Sequence, residues 1–301
     1  MSAFESLRRE FGKPGIRLAP GPGDLTCVIL DHEGSHARAS LHGAHVLDYQ
    51  PHQQAEVLWL SPAAILDSRQ AIRGGVPICW PWFGDHPRDT SLPAHGFARI
   101  NDWTLVDSTS NENEKAVTLA LHDNACTREL WPHAFELRYR LSLSNVLRAS
   151  LCVINTGAAN MCFSAALHSY FSVSAIGQTA LEGLAGCSYL DKPDNFARKV
   201  QTERLLRFAA ETDRIYLDTE ADCTVHDGAG ARRIHIRKSG SRSTVVWNPW
   251  RDRAARFDDF PDDGYRGMLC VETANAASDV IDLEPGDCHT LAVSVESVAG
   301  A

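Results

Sequence analysis

The sequence predicts an all-β protein, a large antiparallel β-sandwich with few short helices, and three observations carry that reading. Apolar residues alternate with polar ones over many short stretches, which is the two-residue period of a half-buried strand. Clusters of Gly, Pro, Asn and Asp separate these stretches as turns. No long amphipathic helix lies between them, which argues against a parallel sheet wound with crossover helices.

The first segment is helical. Ser2 and Glu5 have the spacing of a capping box, and Phe4, Leu7, Arg8 and Phe11 recur at helical intervals, so a short helix ending near Gly12 is expected. After Pro14 the period becomes two. Phe135, Leu137, Tyr139, Leu141 and Leu143 alternate with Glu136, Arg138, Arg140, Ser142 and Ser144, the clearest strand in the chain. Val117/Leu119/Leu121, Ala149/Leu151/Val153 and Leu291/Val293/Val295 repeat the pattern. Turn clusters fall at Pro20 to Asp24, Asn111 to Asn113, Asp227 to Gly230 and Pro261 to Gly264. The 301 residues show no internal repeat, low-complexity tract or linker, and sandwiches of this size form single units, so one domain over 1–301 is expected.

A hydrophobic fraction of 44% is enough for an extended core. The net charge of −9 argues against a nucleic-acid partner, which needs a basic face. Apolar runs fall far short of the ~20 residues that cross a bilayer. The charged N-terminal stretch lacks the apolar segment of a secretory signal, so a soluble, cytoplasmic protein with no membrane partner is expected. Nine cysteines are scattered without a C-x-x-C pair, several inside apolar runs such as Leu151-Cys152-Val153 and Leu269-Cys270-Val271, and read as reduced structural thiols. Among thirteen histidines, His32/His36 and His42/His45 are closely spaced, but they lie in strands and turns where helical spacing does not converge side chains. They read as surface or loop residues, and no metal is expected.

The most informative stretch runs from Arg73-Gly74-Gly75 through Trp80-Pro81-Trp82-Phe83-Gly84 to His95-Gly96-Phe97-Ala98-Arg99. It is too polar, and too broken by Gly and Pro, for a core strand, and it reads as the wall of a pocket. Glycines let backbone approach a ligand, rings supply flat apolar surface, and two guanidiniums can grip an anion. A small anion with an apolar face, such as a sugar phosphate, fits. Further on, Glu272 follows the apolar run Met268 to Val271, where desolvation raises a carboxyl pKa and makes a better base. His168 interrupts the run from Cys162 to Leu167. On the residues alone, either could equally be a strand-end polar group satisfied by backbone or water.

These segments, with Leu167-His168-Ser169-Tyr170-Phe171, Tyr189-Leu190-Asp191-Lys192, Thr212-Asp213-Arg214-Ile215-Tyr216, Val246-Trp247-Asn248-Pro249-Trp250 and Cys270-Val271-Glu272-Thr273-Ala274-Asn275, occur in one order. In that order they resemble the hexose-6-phosphate mutarotases (glucose-6-phosphate 1-epimerases) of the aldose 1-epimerase superfamily. The resemblance implies a galactose-mutarotase-like sandwich with its sugar site in a cleft across one concave sheet. It implies an isomerase that opens a hexopyranose at C1 and recloses it, interconverting the α and β anomers of glucose 6-phosphate or a related hexose 6-phosphate. Such chemistry needs one group to take a proton from O1 and another to give one to the ring oxygen, with no metal or other cofactor.

By the same resemblance Glu272 is the general base and His168 the general acid. His95 and Asp213 bind the sugar, and Arg73 and Arg99 form the phosphate clamp. The residues also allow plainer roles. His95 can brace its loop, Asp213 can pair with Arg214 at the surface, Arg73 can meet a hydroxyl, and Arg99 can pair with Asp102. Lys192 reads as a solvated rim lysine, and Trp80, Trp82, Phe83, Trp247 and Trp250 mostly as packing. Two other functions stay open: an aldose 1-epimerase acting on free sugars without dependence on Arg99, and a non-catalytic carbohydrate-binding sandwich. Nothing in the sequence fixes the oligomeric state.

Overall fold

The structure, a computed structural model, describes residues 3–300. An N-terminal helix spans Ala3–Phe11, and the expected cap at Ser2 lies outside the described residues. The regular structure that follows is mostly strand, joined by turns and short 3-10 segments, with two further short α-helices at Ala125–Leu130 and Trp250–Ala254. No described helix is long and apolar enough to cross a membrane.

Every pairing between the strands of the sheets is antiparallel, as the turn-separated pattern predicts. A four-stranded meander, Ile16–Pro20, Thr26–His32, Ser35–Ser40 and Val46–Gln50, leads into two large sheets. One has nine strands and is centred on Cys288–Ala299, Leu147–Asn155 and Phe135–Leu143. All four stretches of alternating sequence lie in it. In Phe135–Leu143 the side chains at 135, 137, 139, 141 and 143 are buried, the face that the two-residue period assigns to the core.

The other large sheet has eight strands and runs Ala197–Val200, Ser188–Asp191, Thr212–Tyr216, Ser243–Asn248, Met268–Asn275, Ala165–Leu167 and Ile78–Cys79, with Tyr170–Ser172 also paired to Met268–Asn275. Its two central strands are buried along their whole length. Val246 and Val271 join the main core cluster on one side. On the other side Val245 belongs to a smaller apolar group with Cys79, Ala166, Ile215 and Ala274. Strands covered on both faces carry no polar alternation.

Of the aromatic residues singled out above, Trp80 is fully buried and packs edge-on against Phe97, Trp131 and Phe135, with centroids 5.6, 4.9 and 4.5 Å away. Trp82 is also buried, its indole N–H donating to the Pro93 carbonyl at 3.0 Å. The cysteines are mixed: Cys27, Cys79, Cys223 and Cys270 are buried, whereas Cys126, Cys162 and Cys288 are exposed, contrary to a uniformly buried set.

The adjacent glycines differ from expectation in an instructive way. Gly74 (φ 105°) and Gly75 (φ 61°) let backbone approach backbone rather than a ligand. A Cβ on Gly74 would press on Trp59 and Leu60, and one on Gly75 would collide with the Val46 carbonyl oxygen. Gly75 N–H donates to Trp59 at 2.7 Å, and the Gly74 carbonyl accepts from His45 Nε2 at 2.8 Å. His45, His42 and His32 are buried rather than on the surface, and burial holds His45 down to about 3, a neutral brace behind Arg73. Gly75→Ala combines a strained φ with this collision, so it should lower unfolding free energy by about 1 kcal/mol or more in denaturant titration. Unchanged stability would contradict the packing account.

Candidate active site

His168 and Glu272 meet because of strand register. Ala165–Leu167 and Tyr170–Ser172 both pair with Met268–Asn275, Leu167 opposite Thr273 and Tyr170 opposite Cys270. The two short strands therefore share one register, and the interruption between them puts His168 across from Glu272. The His168 backbone N–H donates to the Pro77 carbonyl at 3.0 Å, in step with the pairing of Leu167 and Ile78, and the Val271 N–H donates to the Ser169 carbonyl at 3.2 Å. Side chains directly opposite on paired strands share a face. His168 Nε2 lies 3.3 Å from Glu272 Oε1, with both side chains buried.

The same face carries the rest of the site. Val245 is opposite Glu272, Trp247 opposite Cys270, and Asp213 opposite Trp247. His168, Glu272, Val245, Trp247 and Asp213 line a cavity of about 340 Å³ with Arg73, His95, Arg99, Lys192, Tyr170 and Phe83. Asp213 is buried and pairs with Lys192 Nζ at 2.9 Å. The Arg73 Nε donates to both oxygens of Asp259 at 3.2 Å, its Nη1 reaches the Tyr170 hydroxyl at 3.5 Å, and its guanidinium lies 4.7 Å over the Phe257 ring. Arg99 Nη2 donates to the Ala94 carbonyl at 2.7 Å, and its buried Nε has no hydrogen-bond partner among the described residues.

His95 (φ 63°) is held at the end of its loop by two contacts with Gly84: its N–H donates to the Gly84 carbonyl at 2.6 Å, and its Nδ1 accepts from the Gly84 N–H at 3.3 Å. Burial holds its imidazole well below the ordinary value, with Arg99 and His168 adding to the effect. A neutral ring that accepts at Nδ1 carries its proton on Nε2. His95 is thus a hydrogen-bond donor placed among the cavity residues.

A family model described as aldose 1-epimerase matches residues 26–296. The chain belongs to the aldose 1-epimerase family. Within it, a Salmonella typhimurium protein provisionally named glucose-6-phosphate 1-epimerase is 37% identical over 256 residues, 85% of each chain. The crystal structure of a provisionally assigned mutarotase from Salmonella typhimurium superposes with a TM-score of 0.89 at 33% identity over 96% of both chains. That of galactose 1-epimerase from Lactobacillus acidophilus gives 0.71 at 14% identity over 95% of this chain and 99% of that one, a likeness of fold alone.

All six residues singled out from this epimerase's sequence, His168, Glu272, Arg73, His95, Arg99 and Asp213, border one cavity. Their surroundings correct several details. The imidazole and carboxylate of the acid–base pair are in direct contact. Asp213 pairs with Lys192 rather than Arg214, and Lys192 is drawn into the cavity rather than solvated. Asp102 pairs with His42, and Arg99 has no ion pair with a carboxylate among the described residues. Phe83 and Trp247 line the cavity, while Trp250 packs on Tyr265 with centroids 5.2 Å apart. Sequence reasoning missed Arg253, on the short helix Trp250–Ala254, and Phe257 and Asp259, on the polar loop after it, where no period marks them.

Burial is the largest influence on the central pair. It holds His168 well below its ordinary 6.5, aided by Arg99 and Arg73. It holds Glu272 well above its ordinary 4.5, aided by Asp213 and opposed by Lys192 and Arg99. Both directions favour uncharged groups, so the resting pair carries a single proton. A carboxyl with a raised folded pKa costs stability once the unfolded chain ionises, above about pH 4.5, and the cost grows with pH. His168 acts in the opposite range, costing stability as pH falls below 6.5. Glu272→Gln should therefore raise unfolding free energy by about 1 kcal/mol or more at pH 7, with the gain vanishing below pH 4.5. A gain or loss independent of pH in parallel melts would contradict the burial account.

Proposed function

We propose that the protein interconverts the α and β anomers of glucose 6-phosphate, or of a closely related hexose 6-phosphate, by acid–base opening and closing of the ring. The observation that carries this reading is the His168 Nε2 to Glu272 Oε1 contact of 3.3 Å within a polar cavity of about 340 Å³. Sites for small ligands occupy about 300–1,000 Å³, so a single hexose phosphate suits this one. The family membership and the names given to the Salmonella relatives support the same reaction class.

Ring opening moves two protons at one carbon. O1 and the ring oxygen are both bonded to C1, so adjacent acid and base groups serve better than groups at opposite walls. The pair starts with one proton. In the resting pair that proton is on Glu272; once it has crossed to His168, Glu272 takes the hydrogen from O1 while His168 Nε2 gives its proton to the ring oxygen, and C1 becomes a free aldehyde. The proton now lies on Glu272, and the pair's net charge is unchanged. After rotation about C1–C2, Glu272 returns a proton to the aldehyde oxygen and His168 recovers one from the ring hydroxyl as it attacks the other face. The ring-open state is therefore matched to the resting proton distribution of the same pair.

The neighbouring groups have supporting roles in this reading. His95, as a neutral Nε2–H donor, stabilises charge on the oxygen that loses its proton. Asp213, paired with Lys192, accepts from sugar hydroxyls. Arg73, oriented by Asp259 and Tyr170, donates to sugar oxygens, and Phe83 and Trp247 present apolar surface to the C–H face.

Polarimetry on freshly dissolved α-glucose 6-phosphate and α-glucose in parallel tests the proposal. Acceleration should be greater on the phosphorylated sugar, and equal rates would reject the phosphate part. Glu272→Gln and His168→Asn should each lower kcat at least about 10²-fold, the lower range of general acid–base catalysis. Near-normal turnover in either variant removes that residue from the mechanism.

A further inference from the structure

We infer that Tyr170 is a positioning residue for the acid–base pair: its ring, stacked on the His168 imidazole, fixes that imidazole against Glu272 and stabilises the positive charge it carries during ring opening. The inference rests on the acid–base reading above and not on the phosphate part of it.

A working imidazole is commonly oriented by a hydrogen bond at its second ring nitrogen. His168 lacks that anchor: its Nδ1 is buried and bonds to no other residue among the described residues. Packing takes the place of the hydrogen bond. Tyr170 stands two positions along the register that sets His168 across from Glu272, so the two side chains leave the same face of the sheet. Their rings lie 4.8 Å apart between centroids and 12° from parallel. A stack of this kind covers the face of the imidazole and leaves its edge free, and on that edge Nε2 sits 3.3 Å from Glu272 Oε1.

Tyr170 is itself held firmly. Its N–H donates to the Gly75 carbonyl and its own carbonyl accepts from the Trp59 N–H, both at 2.9 Å. Its buried ring stacks on Trp59 at 6.0 Å and 19°, and Trp59 in turn packs on Phe260 at 4.9 Å. Trp247 stands across both members of the stack, at 81° to His168 and 82° to Tyr170. Cys270, opposite both Tyr170 and Trp247 on the intervening strand, is small enough to let those rings meet.

The stack also bears on charge. Ring opening requires His168 to hold an extra proton for a time, which burial opposes, as do Arg99, Arg73 and Lys192. Glu272 supplies an opposing charge once it has passed its proton across. The electron-rich face of the Tyr170 ring supplies a second attraction, on the stacking side and within the ~6 Å over which a cation feels such a face. Burial pushes the Tyr170 hydroxyl well above its ordinary pKa, so the ring acts as a neutral phenol and its face, not a phenolate, carries the effect.

Polarimetry on glucose 6-phosphate and on glucose tests this in wild type, Y170F, Y170L, H168N and the H168N/Y170L double variant. Y170F keeps the stack and should hold kcat within about threefold of wild type. Y170L removes the aromatic face and should lower kcat about tenfold or more, and that loss should vanish in the H168N background because Tyr170 acts through His168. Phenylalanines of increasing fluorine content, incorporated at position 170, keep the packing while draining charge from the ring face. Along that series kcat should fall stepwise from the Y170F value, by about tenfold in all, and this readout holds even where Y170L does not fold. A flat fluorine series would make the ring a packing element and overturn the inference. So would a large loss in Y170F, which would place the effect in the hydroxyl, or an equal loss from Y170L with and without His168. Each of these leaves the acid–base reading intact, whereas a wild-type protein that accelerates neither sugar would reject that reading and the inference with it.

Discussion

The structure depends on one constraint, the register that sets His168 opposite Glu272 on the covered face of a sheet. Two short strands flank His168 and keep the same alignment on Met268–Asn275, so the chain interrupts its ladder without losing step. A slip of one residue on either strand would turn one of the two side chains to the opposite face. The surrounding core resists such a slip, because Val271 and Val246 are packed on the other side of the same strands.

Burial then supplies the chemistry. Neither an imidazolium nor a carboxylate is well tolerated in this position, and the two groups satisfy the constraint jointly by holding one proton between them. Moving that proton across the contact changes no net charge, so each group can act as acid in one half of the reaction and base in the other. The cations and carboxylates around the pair are mostly matched, Arg73 with Asp259 and Lys192 with Asp213. This matching lets a polar cavity exist inside an acidic protein, and it leaves few positive groups unspent for an anionic substrate.

The nine-stranded sheet was legible because one of its faces is partly wet: the alternation from Phe135 to Leu143 reports its core face directly. The eight-stranded sheet was not. Ser243–Asn248 and Met268–Asn275 are buried on both sides, so period carries no information about which residues face the site. Resemblance to known segments located the six site residues, but their partners are set by contacts between distant parts of the chain. Lys192 and Asp213 are twenty-one positions apart, Arg73 and Asp259 one hundred and eighty-six, and no local pattern joins them. His42 and His45 read as surface residues for the same reason: their burial comes from the Arg73 loop folding over them, through Gln70 and Gly74 carbonyls.

The shared proton is the claim on which the catalytic account stands. Nitrogen NMR of the ¹⁵N-histidine-labelled protein, with His168→Asn to assign the signal, reads that proton's effect directly. A His168 ring that stays neutral from pH 8 down through its ordinary 6.5 agrees with a buried pair holding one proton. A ring that becomes imidazolium near 6.5, as a solvated histidine does, would show that burial does not govern the pair and would contradict the account.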